Sequence, residues 1–211
     1  MNLLEKIKFR IKYGNSNNYW KRRYQKGGSS GSGSFGVLAY FKSDVINKFV
    51  EEKSIESVIE FGCGDGNQLT LSKYPQYIGF DISLEAINAC GQLFKEDLQK
   101  QFFMMEDYKN QKAELVLSLD VIYHLIEEKI FTNYLELLFA SSLKYVVIYS
   151  SNTSVQLPQQ SGHVKHRIFT EWIEKNIKGW TLSQVIKNKY PFNGDISNSS
   201  IADFYIYRKN T

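Results

Sequence analysis

With two cysteines in 211 residues, the chain cannot be stapled by a disulfide framework. Cys63 lies inside a cluster of glycines, so a structural bridge to Cys90 is not expected, and a reducing cytoplasm is the compartment that fits. No run of apolar residues is long enough to cross a bilayer, and the amino end carries no signal-peptide pattern. Histidine is scarce too, at three residues. None sits in a metalloenzyme signature such as H-E-x-x-H, so no metal is expected. A recognised RNA-binding motif is also missing. What remains is 43% hydrophobic and 15% aromatic, over 24.5 kDa. That is enough for one domain with a full core.

The net charge of +4 hides an asymmetry. Met1 to Lys26 holds eight Lys or Arg against the single acid Glu5, whereas the remainder has 18 basic and 21 acidic residues. The excess positive charge is therefore confined to an amino-terminal arm. A solvated tail, an anionic substrate, anionic lipid head groups and nucleic acid are the readings open to it. Ile7, Phe9, Ile11 and Tyr13 alternate with basic residues while Leu3, Leu4, Ile7 and Ile11 suit a helix face, and periodicity does not choose between them. The stretch Gly27–Gly36 reads in isolation as a flexible linker. Aromatic residues on both sides of it favour a mobile flap instead.

Beyond the flap, Phe41, Val45, Ile46, Phe49 and Val50 recur at helical spacing within Tyr40–Lys53. Strands are then predicted at Ser57–Phe61, Tyr77–Ile82, Phe102–Glu106, Ala113–Leu119 and Tyr145–Ser150. Helices are predicted at Asn67–Ser72, Leu84–Phe94, Ile126–Ser141 and Thr170–Ile177, and Trp180–Lys189 and Ile201–Arg208 read as two closing strands. Alternating strands and helices imply an α/β fold with a doubly wound, mostly parallel seven-stranded sheet, the last strand antiparallel. Ligands on such sheets bind beyond the carboxyl ends of the strands.

One such end reads Glu60-Phe61-Gly62-Cys63-Gly64-Asp65-Gly66. A strand that breaks into glycines lets the backbone approach a ligand closely. The glycines alternate here, unlike the G-x-G-x-x-G of dinucleotide sites. Asp81 closes the next strand about 20 residues on, the distance at which an acid accepts hydrogen bonds from ribose hydroxyls. The competing role, a helix N-cap, also has Ser83 as a candidate.

The pattern E-x-G-x-G-x-G resembles motif I of class I S-adenosylmethionine-dependent methyltransferases, and the resemblance runs from about Tyr40 to the carboxyl end. It implies S-adenosylmethionine as donor and divides the chain into an arm with flap, residues 1–39, and a catalytic domain, residues 40–211. The donor site implied at motif I is Glu60, Gly62, Cys63 and Gly64, with Asp81 and Ile82 after strand two. Asp107 (or Glu106) and Tyr108 follow strand three, Leu119 and Asp120 close strand four, and Tyr24 reaches over from the arm. Met104 and Met105 would flank the adenine or simply fill core.

The run Leu117-Ser118-Leu119-Asp120-Val121-Ile122-Tyr123-His124 resembles the family's motif IV. It lacks the N-P-P-Y or D-P-P-Y that holds a planar amine, which argues for an oxygen nucleophile. His124 or His163 is the expected general base, and Tyr123, Lys165, His166 and Arg167 the expected acceptor-positioning groups. More narrowly, Trp20–Phe192 is similar to methyltransferases of bacterial capsule and O-antigen clusters, through Gly31–Leu38, Val58–Leu69, Leu117–Leu125 and His163–Thr170. That similarity implies a glycan precursor as partner, methylated on a sugar hydroxyl or on a phosphoryl or phosphoramidate oxygen. Nucleic acid is not expected, and peripheral membrane contact through the basic arm is an extension. The alternatives are an RNA methyltransferase, a non-catalytic protein that binds the same donor, and a nicotinamide dehydrogenase, the last disfavoured by the glycine spacing.

Overall fold

The computed structural model describes residues 9, 12–157 and 160–210. Seven strands form one sheet: β1 (Ser57–Phe61), β2 (Gln76–Asp81), β3 (Lys100–Met104), β4 (Ala113–Leu119), β5 (Ser142–Ser150), β6 (Trp180–Ile186) and β7 (Asp203–Lys209). Their spatial order is β3-β2-β1-β4-β5-β7-β6. The first five pair in parallel, and β7 is antiparallel to both β5 and β6. This is a mostly parallel, doubly wound sheet. The order reverses between β1 and β4, so the carboxyl ends of those two strands frame the crevice that binds ligands in such sheets.

Among the described residues five α-helices have full ranges: α1 (Ser16–Gln25), α2 (Gly36–Glu52), α3 (Leu84–Leu93), α4 (Glu128–Ala140) and α5 (Phe169–Asn176). Strand residues alternate between two cores, as the period of two demands. Val58, Leu117 and Val147 face Ile46, Phe49 and Val50 of α2 and Cys90 of α3. Ile59, Val116 and Ile148 face Phe131, Leu135 and Leu138 of α4 and Phe169 and Ile173 of α5. The end of α2 is set locally. Ser54 adopts φ +48, and the amides of Ser54 and Ile55 donate back to Glu51 O and Val50 O. Among the described residues no helix is long and apolar enough to cross a membrane.

Several boundaries differ from the sequence expectation. The helix expected over Asn67–Ser72 is a single 3₁₀ turn, Gln68–Leu71. Asn67 makes no side-chain cap there, and Gly66 at φ +79 packs straight onto Cys90 of α3 and Phe94, the residue that caps its carboxyl end. β3 ends at Met104, and Met105–Asp107 forms another 3₁₀ turn. The closing strand expected to reach Lys189 stops at Ile186. The arm contains a helix that periodicity did not predict, α1, capped by the Asn15 side chain accepting from Asn18 N at 2.9 Å. Ile7 and Ile11 lie outside the described residues.

Candidate functional site

The glycine turn after β1 is held by β2. Gly62 N and Cys63 N both donate to Phe80 O, at 2.7 and 3.1 Å. Gly62 sits at φ +85, and a Cβ there would come within 2.5 Å of Val121 Cγ2, so the approach of the β1 and β4 loops requires glycine. Gly64 N donates to Asp81 Oδ2 at 3.0 Å and Ser83 N to Asp81 Oδ1 at 2.9 Å. The helix cap belongs to Ser83, whose hydroxyl accepts from Ala86 N. Asp81 is thereby left for the cavity. Burial raises its pKa, opposed by the amides of Ser83, Gly64 and Ile82.

A cavity of about 360 Å³ opens on this turn and is lined by Glu60, Asp81 and Asp120 with Gly62, Cys63, Gly64, Ile82 and Leu119. Glu60 is buried and accepts from Tyr77 OH at 2.7 Å. Burial pushes its carboxyl up to about 7 against the opposing pull of the Tyr77 bond and the Lys42 charge. At the end of β4, Asp120 adopts φ +60, a left-handed conformation that costs a non-glycine residue about 1–3 kcal/mol and is typical of functional sites. The Lys42 side chain is 1% exposed and its Nζ lies 2.6 Å from Asp120 Oδ2, while Tyr123 OH donates to Oδ1 at 2.7 Å. Three carboxylates therefore face the cavity against one ammonium, which suits a cationic ligand.

The arm forms the cavity's outer wall. Ser16 donates through its amide and hydroxyl to the Glu127 carboxylate, at 3.1 and 2.6 Å, tying α1 to the start of α4. Ser30 and Asp65 bond reciprocally, amide to carboxylate at 2.8 Å and amide to hydroxyl at 3.1 Å. Tyr24 OH lies 2.9 Å from Ser30 Oγ. The Gly/Ser-rich segment thus packs as a strap over the glycine turn. A Cβ on Gly64, at φ +61, would meet Ser30 Oγ at 2.3 Å.

His124 lines the same cavity. Its Nδ1 lies 3.2 Å from His163 O, and since a carbonyl only accepts, Nδ1 carries the proton and Nε2 is left as an acceptor. Burial, then the neighbouring His163, depresses the pKa of His124 to about 3, so the ring stays neutral near pH 7. His163 stacks between Tyr19, at 4.2 Å, and His124, at 5.2 Å, and burial lowers its pKa to about 4.

The sequence model of a methyltransferase-domain family matches residues 37–174, well over half of the chain. The chain belongs to that methyltransferase domain family. No curated protein matches it. Among solved structures, the methyltransferase resembles the N-methyltransferase NodS from Bradyrhizobium japonicum WM9 in complex with S-adenosyl-L-homocysteine. The TM-score is 0.70 at 11% identity, covering 93% of this chain and 100% of that one. It also resembles the magnesium protoporphyrin IX methyltransferase ChlM from Synechocystis PCC 6803 with bound SAM, with a TM-score of 0.61 at 16% identity, covering 98% and 97%. The methyltransferase domain of bacterial CtHen1-C gives 0.63 at 16% identity, covering 81% and 98%. At such identities these likenesses establish the fold of the methyltransferase.

Some expected site residues of the methyltransferase lie elsewhere. Asp107 is exposed in its 3₁₀ turn. Tyr108 packs edge-on against Phe61 and Phe80 and hydrogen-bonds Ser141 Oγ at 2.7 Å, so Met105 lines the cavity in place of both. Arg167 is spent on Leu125 O, Ile126 O and the Glu128 carboxylate, with its guanidinium over Phe131. Lys165 reaches Glu128, and His166 Nδ1 lies 2.7 Å from Ser151 Oγ. These three line a second cavity, and His163 lines neither. Conversely, sequence reasoning passed over Lys42, Gln68 and Trp20. Lys42 had a signal: it falls at i+3 from Ala39 and i−4 from Ile46, a charge on a buried stripe.

Proposed function

We propose that the protein transfers the methyl group of S-adenosylmethionine to an oxygen of a surface-polysaccharide precursor, the acceptor class implied by the resemblance across Trp20–Phe192. Support for the donor comes from the fit of the cavity. Two buried carboxylates end adjacent strands at the glycine turn, and Gln68 Oε1, buried and without a partner among the described residues, belongs to a side chain that lines the same cavity. That orphaned acceptor and the surplus of carboxylates suit a ligand bearing an ammonium, a sulfonium and a ribose diol. NodS and ChlM, with the same sheet, hold S-adenosylhomocysteine and SAM respectively.

When bound, the donor supplies a methyl group already activated by its sulfonium. The chain's own residues then have to bind, align and exclude water. Asp81 holds the ribose hydroxyls, Glu60 and Asp120 hold the electrostatic balance, and the strap across Gly64 keeps solvent out. The observation that carries the acceptor assignment is His124. It is a neutral imidazole lining the donor cavity, with Nδ1–H fixed on the His163 carbonyl and Nε2, without a partner among the described residues, able to accept a hydroxyl proton. A positioned base contributes about 10²–10⁴-fold when its pKa is near the working pH, and the depressed pKa of His124, which keeps it neutral but weakens it as a base, sets its share at the lower end. The acceptor is a precursor made in the cytoplasm, and the basic arm keeps the enzyme near anionic membrane lipids.

The test is labelled methyl transfer onto capsule precursors, with the product's methyl position assigned by NMR. His124→Gln is expected to lower turnover about 10²-fold with unchanged calorimetric affinity for S-adenosylhomocysteine. Asp81→Ala is expected to lose that affinity. Wild-type turnover in the first variant removes the base, and wild-type affinity in the second removes the ribose contact.

A further inference from the structure

The cavity is closed on its outer side by one face of α1, where Ser16, Asn17, Trp20 and Tyr24 line it together. Two of these are committed, Ser16 to Glu127 and Tyr24 to Ser30. The other two are not. Among the described residues, neither the Asn17 amide nor the Trp20 indole N–H has a hydrogen-bond partner, and across the cavity the Asn133 amide of α4 has none. Trp20 also meets the expected base directly, its ring edge-on to His124 at 4.7 Å and 70°. The wall thus presents an aromatic surface and polar groups, half-buried at Asn17 and Trp20 and exposed at Asn133, that no described protein group occupies beside the Nε2 that would take a proton.

Charge then selects among acceptors. Among the described residues the only cation lining the cavity, Lys42, is paired with Asp120, and the remaining charged liners are the acids Glu60 and Asp81, which repel an anion. Arg167 and Lys165, the expected phosphate holders, are bound to Glu128 and to backbone carbonyls outside this cavity. Arg23, adjacent to the α1 wall but not among the residues lining the cavity, opposes a cationic amine there without offering a direct contact to a phosphate. Its guanidinium sits 5.4 Å from the Trp20 ring centroid, held there by Ser29 O at 2.7 Å. Neutral imidazole, amides and indole match a neutral ring that carries hydroxyls. We propose that Trp20 and Asn17 of α1 form the acceptor subsite, and that they select a neutral hydroxylated sugar ring over a phosphorylated or amino sugar at the point of methyl transfer.

This rests on the methyl-transfer reading, and the experiment separates the two. Full-length protein is first tested for S-adenosylhomocysteine binding by calorimetry. It is then supplied with radiolabelled S-adenosylmethionine and para-nitrophenyl glycosides, the same sugars as 1-phosphates, and the matching amino sugars. Neutral glycosides are expected to show at least tenfold higher kcat/KM than either charged class. Trp20→Ala and Asn17→Ala are expected to raise KM for the glycoside tenfold or more, with product-analogue affinity within threefold of wild type. Should Trp20→Ala fail to fold, Trp20→Phe keeps the wall but removes the N–H donor and is expected to raise KM severalfold. A preference for the phosphates or amino sugars overturns the proposal. So does an unchanged KM in Asn17→Ala and Trp20→Phe, or an absence of methylation in all three classes by protein that binds the product analogue. A wild type with no affinity for that analogue overturns the donor reading as well.

Discussion

Glu60 shows at the scale of a single residue how burial couples stability to donor binding. Its carboxyl, near 4.5 when unfolded, is pushed up to about 7 in the fold. The native state therefore binds more protons than the unfolded state between those values, and stability is lost as pH rises through that window. Glu60→Gln removes the titration. In denaturant melts the variant is expected to gain on wild type by on the order of 1–3 kcal/mol between pH 4.5 and 8. Donor affinity runs the other way. A cationic ligand favours the ionised carboxylate, so wild-type affinity for S-adenosylmethionine is expected to rise from pH 6 to pH 8, and the variant's to stay flat. A flat wild-type profile would show that Glu60 does not face the donor's charge. Glu60 and Asp81 were legible because each is the acid at a strand's end, fixed by a local pattern. The Lys42–Asp120 pair was not, because its partners are 78 residues apart and meet only through the sheet.

At the scale of elements, glycine and serine content exposed the strap but not its placement. Composition distinguishes a flexible segment from a periodic one. It does not say that Ser30 will bond both Tyr24 and Asp65 and sit against Gly64. Helix periodicity found α2, α3 and α4 within a few residues, since each buries a regular apolar face. It overcalled Gln68–Leu71, where four residues are too few to show a period. The strap makes a kinetic prediction. Ser30→Ala removes the hydroxyl that joins Tyr24 to the Asp65 amide, a loss of about 1 kcal/mol per hydrogen bond. Amide exchange across residues 28–35 is expected to quicken severalfold, and S-adenosylhomocysteine to dissociate faster, with the global melting temperature little changed. If dissociation is unaltered, the strap does not retain the donor.

Over the whole molecule, the site is precise because the sheet that carries it is buried on both faces, and Phe80 joins the two levels. Its side chain is fully buried in the α4–α5 core, stacked on Phe61 at 5.3 Å and edge-on to Tyr108 at 5.4 Å. Its carbonyl holds the amides of Gly62 and Cys63. Truncation to alanine leaves a cavity in a close-packed interior and is expected to cost about 3–5 kcal/mol in urea unfolding. The parallel pairing of β1 and β2 survives on backbone hydrogen bonds, in register from Ser57↔Gln76 to Phe61↔Phe80, so the carbonyl keeps its place. Donor affinity in Phe80→Ala should consequently fall less than tenfold while stability falls steeply, the reverse of the pattern expected for Asp81→Ala. Parallel losses of affinity and stability in Phe80→Ala would mean that core packing, rather than the β1–β2 ladder, sets the glycine turn.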